Sequence, residues 1–156
     1  MQIIVQELRD VLQDFAPRMR DISPPDFCAK PNPTKWSKIE VVGHLIDSAQ
    51  NNLRRFVCSQ YEPTPPLIIY NQDFWVSANN YKEANQADTI QLWLLLNERI
   101  CSILETMAPA NYTKECNTGR ETPQLHTLKW LAADYVKHLK HHLNQVIPGS
   151  FDIVYP

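Results

Sequence analysis

The chain has 156 residues, 44% of them hydrophobic, with a formal charge of −2 and a pI near 6.2. That length fits one domain over residues 1–156, with enough chain to bury a single core. The charge balance leaves no positive field for nucleic acid, since the basic residues are scattered apart from short groups such as "LRRF", and no stretch approaches the roughly 20 apolar residues that span a bilayer.

The opening "MQIIVQELRDVLQDF" carries Glu7 and lacks both a basic start and an apolar leader segment, so the expected compartment is the cytoplasm. Cys28, Cys58, Cys101 and Cys116 lie far apart without CxxC spacing, and reduced thiols are expected. Three glycines stand against twelve prolines, which cluster between periodic segments. This is the punctuation of helices joined by irregular connectors.

A first helix is predicted from about Gln2 to Asp21, with Ile4, Leu8, Val11, Leu12 and Phe15 at three- and four-residue steps. "SPPDFCAKPNPTKW" ends it. The second opens on Ser37-x-x-Glu40, a capping box, and carries Ile39, Val42, Ile46, Ala49, Leu53 and Phe56 to about Gln60. Residues 61–87 then form a long connector holding Pro63, Pro65, Pro66 and the aromatic "YNQDFWVSANNY". A helix of about 24 residues is roughly 36 Å long, and extended chain covers about 3.3 Å per residue, so this connector can run the length of a bundle and set its flanking helices parallel. The third helix is predicted from an Asp88 N-cap to Met107, and the fourth from Thr122-Pro123 to Pro148-Gly149. The fold class is therefore all-α, a four-helix bundle with one long crossover between helices two and three.

The fourth helix contains "YVKHLKHHLNQV", with three of the five histidines inside five positions. Leu128, Leu131, Tyr135, Leu139 and Val146 define its buried face. At about 100° per residue, His142 lies about 30° from the centre of that face, His138 about 70° and His141 about 130°. His138 and His142 thus form an inward i, i+4 pair, and His141 leans toward solvent. Such a pair either shares one metal ion, as in HExxH helices, or sits at the core boundary hydrogen-bonded to neighbours. A metal needs a third ligand. His126, twelve residues upstream on the same predicted helix, would lie about 18 Å from His138, too far to share an ion. His44 is on the second helix, opposite its apolar stripe. It belongs to a polar line, His44, Ser48, Asn51 and Arg55. That line is either a solvated face or the wall of a groove roofed by the connector, whose Tyr61, Tyr70, Phe74, Trp75 and Tyr81 need a surface to cover.

"KWSKIEVVGHLIDSAQNNLRRF" and "WLAADYVKHLKHHLNQV" resemble the two signature segments of the DinB-like superfamily, in particular its YfiT-type members, and "YNQDFWV" is similar to their crossover. The resemblance covers most of residues 35–147 and matches the first helix only in type. It implies an up-down-down-up bundle with a divalent metal held by His44, from the GHL motif, and by His138 and His142, from H-x-x-HH. Members include thiol-dependent transferases, a thiol-dependent isomerase and proteins named for a suspected metal-dependent hydrolase activity. Ala49 stands near where many relatives carry a carboxylate, so no acid–base role transfers there.

Three neutral imidazoles leave a divalent ion, zinc or nickel foremost, with open positions. Such an ion activates water for hydrolysis or a low-molecular-weight thiol for transfer. The expectation is a metal-dependent enzyme of the small-thiol S-transferase type acting on a small molecule, with a metal-dependent hydrolase or a non-catalytic metal-stabilised bundle as alternatives. Arg55 is expected to bind an anionic group, with Asn51 and Ser48 orienting substrate. Tyr70, Asp73 and Trp75 are expected to form a pocket lid. Asp134 or Asp47 is a candidate for orienting a ligand imidazole, or a plain surface charge. A homodimer through exposed helix faces is compatible with the sequence, though no motif specifies it.

Overall fold

The computed structural model describes residues 1–155. The four expected long helices are present as α1 (Gln2–Arg20), α3 (Lys38–Tyr61), α5 (Gln86–Thr106) and α6 (Leu128–Val146). Two short helices, α2 (Pro24–Cys28) and α4 (Gln72–Ala78), lie in the connectors, and a small antiparallel hairpin pairs β1 (Glu115–Asn117) with β2 (Leu125–Thr127).

Specific contacts fix the helix directions. Arg9 pairs with Glu105 at 2.8 Å and Arg20 reaches Gln91 at 3.0 Å, so α1 and α5 are antiparallel. His44 meets His138 and Phe56 meets Tyr135, so α3 and α6 are antiparallel too. Tyr81, just before α5, packs on Gly43 near the start of α3, whereas Asn111 and Lys114, just after α5, donate to Gln60 near its end. Hence α3 and α5 run parallel, as the crossover length predicts, and the bundle is up-down-down-up.

The core is the sum of the four stripes. Leu8, Leu12, Phe15 and Met19 of α1 are buried with Ile90, Trp93, Ile100 and Leu104 of α5 and with Leu131, Tyr135 and Leu139 of α6. Asn97 breaks the α5 stripe for a reason: its Oδ1 accepts the buried Tyr135 hydroxyl at 2.6 Å, so neither polar group is left unpaired. The tail beyond α6 folds back, stacking Phe151 on Phe15 with ring centroids 5.1 Å apart.

Two predicted helix starts move. Asn85, not Asp88, caps α5: its side chain accepts the Asp88 N–H at 3.1 Å, and Asp88 sits in the first turn where negative charge favours the helix dipole. Helix α6 starts at Leu128 with Thr127 accepting the Trp130 N–H at 3.2 Å. Thr122 and Pro123 fall in the hairpin loop, because residues 125–127 are engaged in pairing with β1. His126 consequently lies on β2, stacked on Trp130 at 3.9 Å between centroids, and not on the helix.

Helix α3 departs most from a one-faced amphipathic helix. Every residue from Ile39 to Ala49 is buried. Its apolar stripe faces the core, and its polar line lies under the crossover. The Tyr81 hydroxyl and Asn79 amide donate to the Asp47 carboxylate at 2.7 and 3.0 Å, and Arg55 donates to the Ile68 carbonyl at 3.2 and 2.9 Å. Gly43 makes the close approach possible, since a Cβ there would stand 2.2 Å from Cδ2 of Tyr81. The polar line is thus roofed by the crossover, with Tyr81 buried and Tyr70 and Trp75 half-buried, whereas Tyr61 and Phe74 of the five expected aromatics stay exposed.

Candidate metal centre

The capped start of α3 positions the first ligand. Glu40 accepts the Ser37 backbone N–H at 2.8 Å and hydroxyl at 2.7 Å, and its second oxygen pairs with Lys30 at 3.1 Å. This fixes the first turn, and His44 follows one turn later, fully buried, with the Trp36 ring tilted over it at 5.1 Å. From the antiparallel α6, His138 and His142 project toward it one turn apart. The three rings lie with centroids 5.2 Å apart for His44–His138, and 4.5 Å for both His44–His142 and His138–His142. One nitrogen from each falls within 4.8 Å of the others.

Several observations test whether a divalent cation fits. The Nε2 atoms of His44 and His138 are 3.3 Å apart, close to the roughly 3.3 Å that two nitrogens bound about 2.0–2.1 Å from one tetrahedral zinc would show. Burial pushes His44 down to about 4 against the opposing field of Asp73. Burial and then the neighbouring His44 and His141 push His142 to about 3, and burial followed by the other imidazoles holds His138 well below its ordinary value. All three are therefore neutral near pH 7, the protonation state in which imidazole ligates metal. The residues fit the group.

The outer contacts are uncharged. Ser48 Oγ lies 3.5 Å from His138 Nδ1, and the Gln145 amide lies 3.2 Å from His142 Nδ1 through its Nε2, so it is the flipped amide, with Oε1 toward the ring, that would accept an Nδ1–H. These occupy the places where hydrogen bonds orient metal-binding imidazoles. Neither aspartate considered from sequence has that role. Asp47 is held by Tyr81 and Asn79, and Asp134 accepts the Tyr155 hydroxyl at 3.1 Å. Burial leaves Asp47 raised to about 6.

Two cavities flank the trio. An open cleft of about 680 Å³ is walled by Trp36, Asp73, His142, Gln145 and the 31–35 loop. A small polar cavity of about 100 Å³ lies on the His138 side, bounded by Ser48, Asn52, Arg55, Tyr70, Asp134 and Tyr155, among others. Of the residues singled out from sequence, the structure places Ser48, Arg55 and Tyr70 on the small cavity and Asp73 on the cleft. Asn51 is buried and donates to the Asp47 carbonyl at 2.9 Å, and Trp75 stacks edge-on with Tyr70 at 5.8 Å; neither lines these two cavities. His141 stays outside the trio, beside Tyr155.

Sequence reasoning missed Trp36, Gln145 and Tyr155 as site residues. Gln145 is three residues after His142, visible in the H-x-x-HH-x-x-Q spacing. Tyr155 has only the apolar tail "FDIVY" after Pro148-Gly149 to announce it.

Comparison with known proteins agrees with this geometry. Residues 7–146 match the profile of the DinB superfamily. YfiT of Bacillus subtilis, named for a suspected metal-dependent hydrolase activity, is 29% identical over 111 residues, covering 71% of this chain and 62% of its own. A Bacillus mycoides protein named for the same suspected activity is 25% identical over 140 residues, 88% of this chain and 78% of its own. The chain thus spans less than two thirds of the length of the first of these relatives. The solved structure of YfiT, a four-helix bundle of unusual topology, superposes with a TM-score of 0.83 at 24% identity, covering 93% of this chain and 82% of that one. The mycothiol-dependent maleylpyruvate isomerase shares the fold at a TM-score of 0.71 and 9% identity, over 91% of this chain and 59% of its own. With its profile match across nearly the whole bundle and its two histidine-bearing helices, the chain belongs to the DinB superfamily.

Proposed function

We propose that the chain is a divalent-metal-dependent enzyme of the small-thiol S-transferase type, acting on a small electrophile in the cleft beside His142. The observation that carries this reading is the convergence of three neutral imidazoles from two helices at the wall of an open cleft. When bound, a zinc or nickel ion would lower the pKa of a coordinated thiol or water and so supply the nucleophile. The chain's own residues hold the site. His44, His138 and His142 offer neutral donors, and Ser48 and Gln145 fix ring orientation. Trp36 shields the buried edge of His44 from water. The trio's hydrogen-bond neighbours Ser48 and Gln145 are uncharged, which suits a thiol, since a metal would itself favour the thiolate and the released proton could pass to solvent in the open cleft. The four free cysteines fit the reducing cytoplasm as compartment.

Hydrolysis is the second reading, favoured by the suspected activity of the relatives and by the Asp73 carboxylate in the cleft wall, placed to accept a proton. One experiment separates the two. Untagged, zinc- or nickel-loaded protein is incubated with an electrophile panel, with and without low-molecular-weight thiols. Turnover that requires thiol supports transfer, and turnover without thiol supports hydrolysis. Failure of both, with metal bound, assigns the centre to a non-catalytic bundle.

A further inference from the structure

The polar cavity beside His138 has a charge arrangement that the metal centre does not use. Arg55 of α3 and Asp134 of α6 both line it, facing one another's field across the two antiparallel helices. No ion pair joins them: among the described residues Arg55 has no carboxylate oxygen within 4.0 Å. The guanidinium is nonetheless rigid. Its Nε and Nη2 donate to the Ile68 carbonyl and its Nη1 to Asn52 Oδ1 at 3.3 Å, leaving two of its donors unused. Asp134 is equally fixed, accepting only the Tyr155 hydroxyl, so most of its lone pairs remain open. Two opposite, half-buried charges held apart by the scaffold keep only part of their mutual attraction and go without the close contact that would offset their desolvation. A ligand presenting the complementary pair supplies that contact to both.

We infer that this cavity binds the zwitterionic head of a small α-amino acid or amino-acid-like molecule, its carboxylate on Arg55 and its ammonium on Asp134. The volume of about 100 Å³ accommodates such a head. A simple carboxylate satisfies Arg55 but meets Asp134 as a like charge, and a simple amine does the reverse. Selectivity for the zwitterion follows from having both. The inference goes beyond the metal reading: His138 bounds this cavity, whereas His142 bounds the cleft. A path does connect them, since Asn52 Nδ2 lies 3.3 Å from Ser48 Oγ, which neighbours His138 Nδ1.

The test titrates untagged wild-type protein with glycine, acetate and methylamine at millimolar concentrations, following chemical shifts by NMR, with zinc content measured in the same samples. Glycine is expected to bind at least about tenfold more tightly than either single-charge analogue, a ratio in keeping with loss of one charge-assisted hydrogen bond. Arg55→Gln and Asp134→Asn should each abolish that preference while zinc content stays unchanged. Acetate binding as tightly as glycine, an unaltered preference in Asp134→Asn, or no binding by any of the three overturns the inference and assigns the cavity to water. Zinc content reports separately on the metal centre, so failure of either reading is visible without the other.

Discussion

Helices α1 and α3 have similar amphipathic patterns and opposite fates. Helix α1 buries Val5, Leu8, Val11, Leu12, Phe15, Ala16 and Met19 and turns its other face to water, where pairs such as Arg18–Asp14 at 2.6 Å are exposed and contribute little. Helix α3 is covered on both sides over its first three turns, so its polar residues must find partners inside the protein. Asp47 finds Tyr81 and Asn79. His44 Nδ1, Asp47 Oδ2 and Asn51 Oδ1 remain unpaired. Each unsatisfied buried group costs about 1–3 kcal/mol. Both helices therefore bury an apolar stripe, and α3 additionally carries, at a cost in stability, a polar interior that includes His44 facing α6.

The largest way to sharpen this comparison is metal removal. With zinc at about 1,000 times its Kd, binding adds about 4 kcal/mol of stability, so chelation should lower Tm by roughly 10 °C; calorimetry showing no shift would contradict the account. The metal-free protein should also be acid-sensitive. The imidazoles are depressed in the folded state, to about 4 for His44 and about 3 for His142, so the unfolded chain binds more protons below about 6.5. Their contribution is complete above that pH and is lost progressively as pH falls through 4 and 3. Asp47, raised to about 6, has the opposite sign: its contribution is complete below its ordinary value and is lost as pH rises through 6. The imidazole shifts are more numerous and larger, so the net slope is loss on acidification.

On α1, Leu8→Ala should cost about 2–5 kcal/mol in chemical denaturation, as buried leucines do, with metal stoichiometry unchanged. A loss of metal there would mean the two regions are not separable. Gly43→Ala sits between the two extremes. The new methyl drives the Tyr81 ring off α3, and that ring cannot swing away without giving up its 2.7 Å bond to Asp47. A cost of about 1–3 kcal/mol is expected, with faster proteolysis of residues 62–85 as the reading that distinguishes a lifted roof from general destabilisation. The smallest effect is Ser48→Ala, which should weaken zinc binding about tenfold by freeing His138 Nδ1, read by competition with a chromogenic chelator.

The fold was legible where one helix face meets water and the other meets the core. Periodicity located all four long helices, and connector length alone set α3 parallel to α5. It failed at Thr122-Pro123, where a good N-cap pair is overridden by strand pairing three residues later, a non-local contact that no local pattern encodes. Within the site, His138 and His142 were visible as an i, i+4 pair on a buried face. His44 was not, because periodicity measures one apolar stripe and cannot register a second cover laid over the polar side by residues 68–81. The resemblance of the GHL segment supplied what the pattern lacked. Asp47 and Asp134 sat at plausible distances along their helices from the ligands, yet tertiary contacts from Tyr81 and Tyr155 claimed both. Positions of partners from the crossover and the tail depend on how those segments fold back, which the helical repeat does not determine.

The most direct measurement is elemental analysis of untagged protein for wild type, His44→Ala and His141→Ala, each purified in the presence of zinc and then desalted. A shared ion between α3 and α6 predicts about one zinc per chain in wild type and in His141→Ala, and close to none in His44→Ala. Undiminished zinc in His44→Ala, or loss confined to His141→Ala, would show that the ion is not held between the two helices.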